Sequence, residues 1–183
     1  ATIGFSGADI ANLANEAALT AARYDRKKIT QEDFSSAFER IMLGTERPPL
    51  SNEEERRVVA YHEAGHALTA LMTEGADNVL KVTITPRGQA LGVTAFMPED
   101  DRRNYPRNYL EARIRVGLGG RVAEEIVFGE VTTGAGGDIR QITQIARRMV
   151  TQFGMSKLGT VDYSNGGVEK IIVQSASGGG PDI

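Results

Sequence analysis

Cysteine is absent from the 183 residues, which excludes a disulfide framework and every thiolate metal site. Histidine is nearly absent, with two in the whole chain. A basic excess is missing as well. With a formal net charge of −3 and an isoelectric point near 5.5, no nucleic-acid partner is expected, because such surfaces carry clustered Lys and Arg. No apolar run approaches the roughly 18 residues of a membrane-spanning helix. The N-terminus also lacks the charged and apolar regions of a secretory signal. What is present, 40% apolar and 25% charged residues, is the composition of a soluble globular chain. The length suits one large domain, or a small one plus a medium one. The abrupt start at Ala1-Thr2-Ile3-Gly4 reads as a piece of something longer.

The two histidines stand four apart with a glutamate after the first, His62-Glu63-Ala64-Gly65-His66. On a helix, positions i and i+4 share one face, so both imidazoles project together. Two neutral ring nitrogens can then meet one zinc ion at about 2.0–2.1 Å each. Glu63 is placed to take a proton from water at such an ion, as a general base. The plain alternative is a surface helix whose two histidines bind nothing.

A catalytic zinc takes three protein ligands and keeps one position open. With no further His or Cys, the third ligand to His62 and His66 must be a carboxylate. A pattern with a third histidine is excluded. The thermolysin-like arrangement is removed too, because residues 78–98 contain no acid. The candidates are Glu99, Asp100 and Asp101 in a loop, Glu124 and Glu125 inside a helix, and Asp138 at a helix start. Asp138 follows a Gly-rich turn, where a carboxylate on a first helical turn has a fixed direction. Spacing alone leaves it level with Glu124 or Glu125, and a helix-capping role for Asp138 competes. The acidic loop is least favoured, since solvated charge clusters are usually surface.

Along the chain, residues 6–24 read as a helix capped by Ser6 with Asp9 three positions on, and Ile10, Leu13, Ala14, Ala17, Ala18 and Ala21 form its apolar stripe. Thr30 caps a second helix carrying Phe34, Ala37, Phe38 and Ile41, which Gly44 ends. Residues 45–50 contain Pro48-Pro49 and mark a domain boundary. Ser51 with Glu54 forms a capping box for the helix of the histidine pair, which runs through Val58, Val59 and Leu68 to about Thr73. Strands are predicted over 79–85 and 90–97, then a polar irregular stretch from Asp100 to Arg107. A helix follows from Asn108 to Phe128, although Gly117, Gly119 and Gly120 weaken it unless they serve close helix approach. A last helix from about Asp138 buries Ile139, Ile142, Ile145, Ala146, Met149 and Phe153. The tail Ser175 to Pro181 offers nothing to pack.

Several linked motifs resemble one family, covering residues 4–160. Gly4-Phe5-Ser6-Gly7-Ala8-Asp9 and Asn15-Glu16-Ala17-Ala18-Leu19 are similar to the helical lid that ends an AAA nucleotide-binding module. His62 to His66, Pro86-Arg87-Gly88, Ala90-Leu91-Gly92-Val93-Thr94, Gly119 to Glu125 and Thr132-Thr133-Gly134-Ala135 follow in the order of the FtsH group, ATP-dependent membrane-anchored zinc proteases of bacteria and organelles.

The resemblance implies a mainly α chain: an AAA lid over 1–45, then a zinc metallopeptidase domain over 46–183 with a small β-element and its C-terminal helices missing. It implies His62, His66 and Asp138 as zinc ligands and Glu63 as general base, with Glu124 nearby but not a ligand. The strand near 79–85 resembles the edge strand that a substrate peptide joins by main-chain bonds. Further implications are unfolded polypeptide substrates, a homo-hexamer, anchoring to a bacterial or organellar membrane through segments outside this soluble chain, and ATP used by the full-length protein. This piece lacks the phosphate cradle and is not expected to bind ATP. Gly136-Gly137 replace the family's usual polar residue and asparagine, so a looser turn and weaker metal affinity are expected. The alternatives are a non-catalytic assembly module of the same architecture, and a zinc hydrolase of non-protein substrates.

Overall fold

The computed structural model describes residue 2 and residues 4–97 and 104–163. Glu99, Asp100, Asp101 and the tail from Ser175 lie outside the described residues. The element order is α1 (Gly7–Arg23), α2 (Gln31–Leu43), α3 (Glu53–Met72), β1 (Asn78–Thr83), β2 (Val93–Met97), α4 (Arg107–Phe128), a 3₁₀ turn (Thr133–Ala135) and α5 (Gly136–Thr151). Among the described residues the chain is mainly α, with one two-stranded antiparallel sheet. Among the described residues no helix is long and apolar enough to cross a membrane.

The first two helices start where local chemistry directs. Ser6 accepts from the Asp9 N–H while Asp9 Oδ2 takes the Ser6 N–H at 2.8 Å, a reciprocal cap. Asp33 does the same for the Thr30 N–H at 2.8 Å and pairs with Arg26 at 2.7 Å. Gly44 ends α2 with φ of 86°, a left-handed value suited to glycine. Leu13, Ala17 and Ala37 form the core of this pair, covered by Phe5, Phe34, Phe38 and Ile41. Ile10 and Ala14, expected on the apolar stripe, are exposed instead, because α2 covers only the Leu13–Ala17–Ala21 side.

The third helix begins one residue later than expected. Asn52, not Ser51, is the cap, and its Oδ1 accepts from the Glu54 N–H at 2.9 Å. The two residue types cap about equally well, so the sequence left the register open by one position. Leu68 is exposed rather than on the packed face.

The sheet pairs Val79 with Phe96 and Lys81 with Ala95, and a bulge at this point leaves Leu80 unopposed. Both strands are shorter than expected. Glu39 of α2 holds Lys81 of β1 at 2.5 Å and Arg87 at 3.2 Å, and Glu46 also holds Arg87. The Arg47 N–H donates to the Pro86 carbonyl at 2.8 Å, so the 45–47 segment runs beside 86–88. Besides the α1–α2 core, Tyr109, Leu110 and Met149 form a second cluster.

The packing of α3 on α4 positions the functional residues. The two helices approach so closely at Gly65 and Gly119 that a Cβ on Gly65 would lie 2.4 Å from the Gly119 carbonyl oxygen. Of the glycines that weakened α4 in sequence, Gly119 and Gly120 are what this contact requires, while Gly117 makes room for Ile142 of α5. The stretch expected to be a loose turn is ordered: Gly136 and Gly137 form the first helical residues of α5. Of the apolar residues expected to be buried there, Ile142 and Met149 are, while Ile139, Ala146 and Phe153 are exposed. This short helix packs mainly on one neighbour, α4, so only a narrow stripe is covered.

Candidate metal centre

His62 and His66 lie one turn apart on α3, with Glu63 between them in sequence, and all three are buried. Their ring centroids are 4.7 Å apart and nearly perpendicular. Three acidic residues in the first turn of α3, Glu53, Glu54 and Glu55, favour the helix through its dipole. Asp138 arrives from the first turn of α5, after Thr132 has tied the preceding turn through the Gly134 N–H at 3.1 Å.

The three side chains converge on one point. His62 Nε2 lies 3.0 Å from His66 Nε2 and 3.2 Å from Asp138 Oδ2, and His66 Nε2 lies 3.6 Å from the same oxygen. The outward nitrogens are already engaged: His62 Nδ1 meets Glu124 Oε1 at 2.5 Å, and His66 Nδ1 meets the Val116 carbonyl oxygen at 2.7 Å. Both partners are acceptors, so each Nδ1 carries a proton. In neutral imidazoles that leaves both Nε2 atoms as lone pairs. Two lone pairs and a carboxylate oxygen then face one another, an arrangement that needs a positive charge between them.

The titration behaviour says the same. Burial alone pushes both imidazoles down. For each, the Asp138 bond is the largest opposing influence, with Glu124 adding to it for His62 and the Val116 carbonyl for His66. The net result holds both above the ordinary histidine value. Burial pushes the Asp138 carboxyl up, yet its bonds to the two imidazoles hold it well below the usual carboxylate range. Burial likewise raises Glu124, and the Thr132 N–H and His62 outweigh it.

The donor set fits a zinc ion. It is all nitrogen and oxygen, and it numbers three. Tetrahedral zinc with ligands at about 2.0–2.1 Å separates them by about 3.3–3.4 Å. The observed spacings of 3.0, 3.2 and 3.6 Å bracket that value. Two clefts of ≈ 550 Å³ and ≈ 530 Å³ open on the cluster, and Glu63, His66, Gly92 and Asp138 line both. The larger is also lined by Val93, Phe96, Tyr105 and Ile142. Glu63 holds its carboxylate beside them, with Oε2 2.7 Å from the Thr94 hydroxyl.

Of the acidic candidates, Asp138 alone joins the histidine Nε2 atoms among the described residues. Glu124 is fully buried but addresses the opposite nitrogen of His62, with its second oxygen taking the Thr132 N–H at 2.8 Å. Glu125 points away and is exposed. Sequence reasoning placed Glu124 near the site without its role, and it did not find Thr94 or Val116. Helical spacing carries no signal for contacts made between α3, α4 and β2.

The family model for peptidase family M41 matches residues 49–179, and that for the AAA+ lid domain matches residues 1–36. The ATP-dependent zinc metalloprotease FtsH of Thermobaculum terrenum is 58% identical over 173 residues, 94% of this chain and 27% of that protein. The protein of the same name from Acidobacterium capsulatum is 52% identical over 163 residues, 88% of this chain and 26% of its own length. ATP-dependent zinc metalloprotease FtsH 4 of Sphaerobacter thermophilus is 57% identical over 156 residues, covering 85% and 24%. The chain thus spans about a quarter of the length of the relatives it matches.

Proposed function

The chain belongs to peptidase family M41, and from that premise we propose that it carries the reaction centre of a zinc metalloendopeptidase. The observation that supports this most is the convergence of the two Nε2 atoms and the Asp138 oxygen, with both outward Nδ1 atoms already engaged by acceptors. His62, His66 and Asp138 would hold the ion. When bound, zinc supplies Lewis acidity, polarising a peptide carbonyl and lowering the pKa of a water toward about 7.

The chain's own residues do the rest. Glu63 takes the proton of the attacking water and returns it to the leaving amine, ending as the carboxylate it began as. Glu124 keeps the His62 proton on Nδ1 and orients the ring, as carboxylates behind metal-bound histidines do. The Val116 carbonyl does the same for His66. The two clefts flanking Glu63 leave room for polypeptide on both sides of the scissile bond.

The intact protein, on this reading, is an ATP-dependent protease of unfolded polypeptides, assembled as a homo-hexamer and anchored to a membrane by segments outside this chain. Residues 1–45 are then the lid of its AAA module and 46–183 its peptidase part. The α1–α2 pair supplies no phosphate cradle, so ATP binding belongs to the longer protein.

The test is zinc stoichiometry by elemental analysis alongside casein hydrolysis by the full-length protein. Glu63→Gln is expected to keep its zinc and lose about 10²–10⁴ in rate. Casein cleavage at the wild-type rate by that variant would defeat the assignment, as would a pure folded protein that takes up no zinc.

A further inference from the structure

Glu63 is gripped by a residue that the chemistry above does not use. Resting on the reading of Glu63 as proton carrier, we propose that Thr94 is a positioning residue that selects which carboxylate oxygen of Glu63 moves the proton. Thr94 sits on β2, opposite Val82 of β1. Its hydroxyl lies 2.7 Å from Glu63 Oε2 and 2.9 Å from the backbone carbonyl oxygen of Glu63 itself. The second contact fixes the hydroxyl against α3. The first then fixes the carboxylate against the hydroxyl. The hydroxyl's one proton is shared between the two acceptors, and the shorter contact is the one to the carboxylate.

The other oxygen is treated differently. At Gly92, two residues earlier, an added Cβ would lie 3.0 Å from Glu63 Oε1, 2.8 Å from its Cγ and 2.7 Å from Val59 Cγ1. The chain therefore offers a hydroxyl to one oxygen and bare backbone beside the other. Among the described residues Oε2 has a hydrogen-bond partner and Oε1 has none, on a residue lining both clefts. In the reaction, Oε1 takes one proton from the attacking water as the new C–O bond forms. It gives that proton to the amide nitrogen as the C–N bond breaks. Oε2 keeps its bond to Thr94 throughout, so the carboxylate does not rotate between the two transfers. Holding a reacting group in one orientation is worth up to about a hundred-fold where a displacement of roughly 1 Å would otherwise follow.

A purely structural role is the competing account, since the bond to the Glu63 carbonyl also ties β2 to α3. The experiment separates them in the zinc-loaded full-length protein. Thr94→Val is expected to lower kcat about ten- to a hundred-fold with KM, zinc content and melting temperature unchanged. Thr94→Ser, which keeps the hydroxyl, restores most of the rate. In a Glu63→Gln background, Thr94→Val changes nothing further, because the group it positions no longer carries a proton. A crystal structure of the zinc-free Thr94→Val variant shows the Glu63 carboxylate turned from its present orientation. Wild-type kcat in Thr94→Val, or a loss of zinc and stability that serine does not repair, overturns the inference. Undiminished cleavage by Glu63→Gln alone would instead remove the reading on which it rests.

Discussion

The Nδ1 of His62 lies 2.5 Å from Oε1 of Glu124, while the Nε2 of the same ring faces Asp138 at 3.2 Å. One imidazole is thus held between two carboxylates with separate duties. Glu124→Gln keeps an acceptor for the Nδ1 proton but removes the charge that raises ligand basicity. Glu124→Ala leaves that proton and the Thr132 N–H without their partner. Zinc affinity is expected to fall about ten-fold in the first and toward a hundred-fold in the second, the range for such outer partners. Competition with a chromophoric chelator measures both. Equal affinity in all three proteins would show that Glu124 does not orient the ring.

On the proposed reading proton and metal compete for the same three atoms, which sets a pH dependence. In the metal-free protein His62 and His66 titrate above the ordinary histidine value. Their stabilisation is therefore complete below the unfolded value of about 6.5 and is lost as pH rises through the folded values. Zinc needs the deprotonated rings, so its contribution runs the other way. The carboxyls of Asp138 and Glu124, held low, give stability that disappears only in acid below the usual carboxylate range. Calorimetry with and without zinc is expected to show a gap in melting temperature that widens from about pH 6 to about pH 8. At a free zinc concentration a hundred-fold over Kd the gain is about 2.7 kcal/mol. A gap independent of pH would contradict this competition.

Much of this centre was readable in the sequence because it rests on short-range periodicity. His62, Glu63 and His66 occupy consecutive turns of one helix, and a helix is what their surroundings encode. Asp138 was favoured on physical grounds as an acid fixed at a helix start, spacing left it level with Glu124 or Glu125, and the family resemblance raised it above them. What decides among them is the packing of α5 on α4, which brings Asp138 to His62 of α3, a tertiary fact without local signature. The cap at Asn52 instead of Ser51 shows the limit at short range, since neighbouring residues of equal capping strength leave the boundary free by one position. The bulge beside Leu80 shows it for strands, where one extra residue ends the alternation that the pattern assumed.

The α3–α4 contact makes a packing prediction at Gly65. Its added Cβ would meet the Gly119 carbonyl oxygen at 2.4 Å and the Ala123 Cβ at 2.6 Å, and backbone cannot swing aside as a flexible side chain would. Gly65→Ala is expected to destabilise the protein by about 1–3 kcal/mol through overpacking. That corresponds to a fall in melting temperature of about 2–4 °C per kcal/mol at this size. Because α4 carries Val116 and Glu124, spreading the helices also weakens zinc binding. An unchanged melting curve would show that the helices separate without loss.

Asp138 yields the most discriminating expectation, because its carboxylate is favourable only when positive charge shares the site. Once both rings have lost their extra proton, the metal-free protein sets the Asp138 oxygen against two Nε2 lone pairs. Asp138→Asn replaces an acceptor with an amide that can turn its N–H groups toward those lone pairs. The same change removes an acid from the first turn of α5, a loss of about 0.3–1 kcal/mol. One good hydrogen bond to a buried nitrogen contributes about 0.5–1.5 kcal/mol, so the two effects nearly cancel or favour asparagine. The stability of the metal-free variant relative to the metal-free wild type is therefore expected to rise with pH, starting below it at about pH 6, where protonated histidines prefer a carboxylate. The variant's zinc content falls throughout. If the variant were instead less stable at every pH yet still held a full zinc equivalent, Asp138 would be a structural cap, and the third ligand would have to be sought elsewhere.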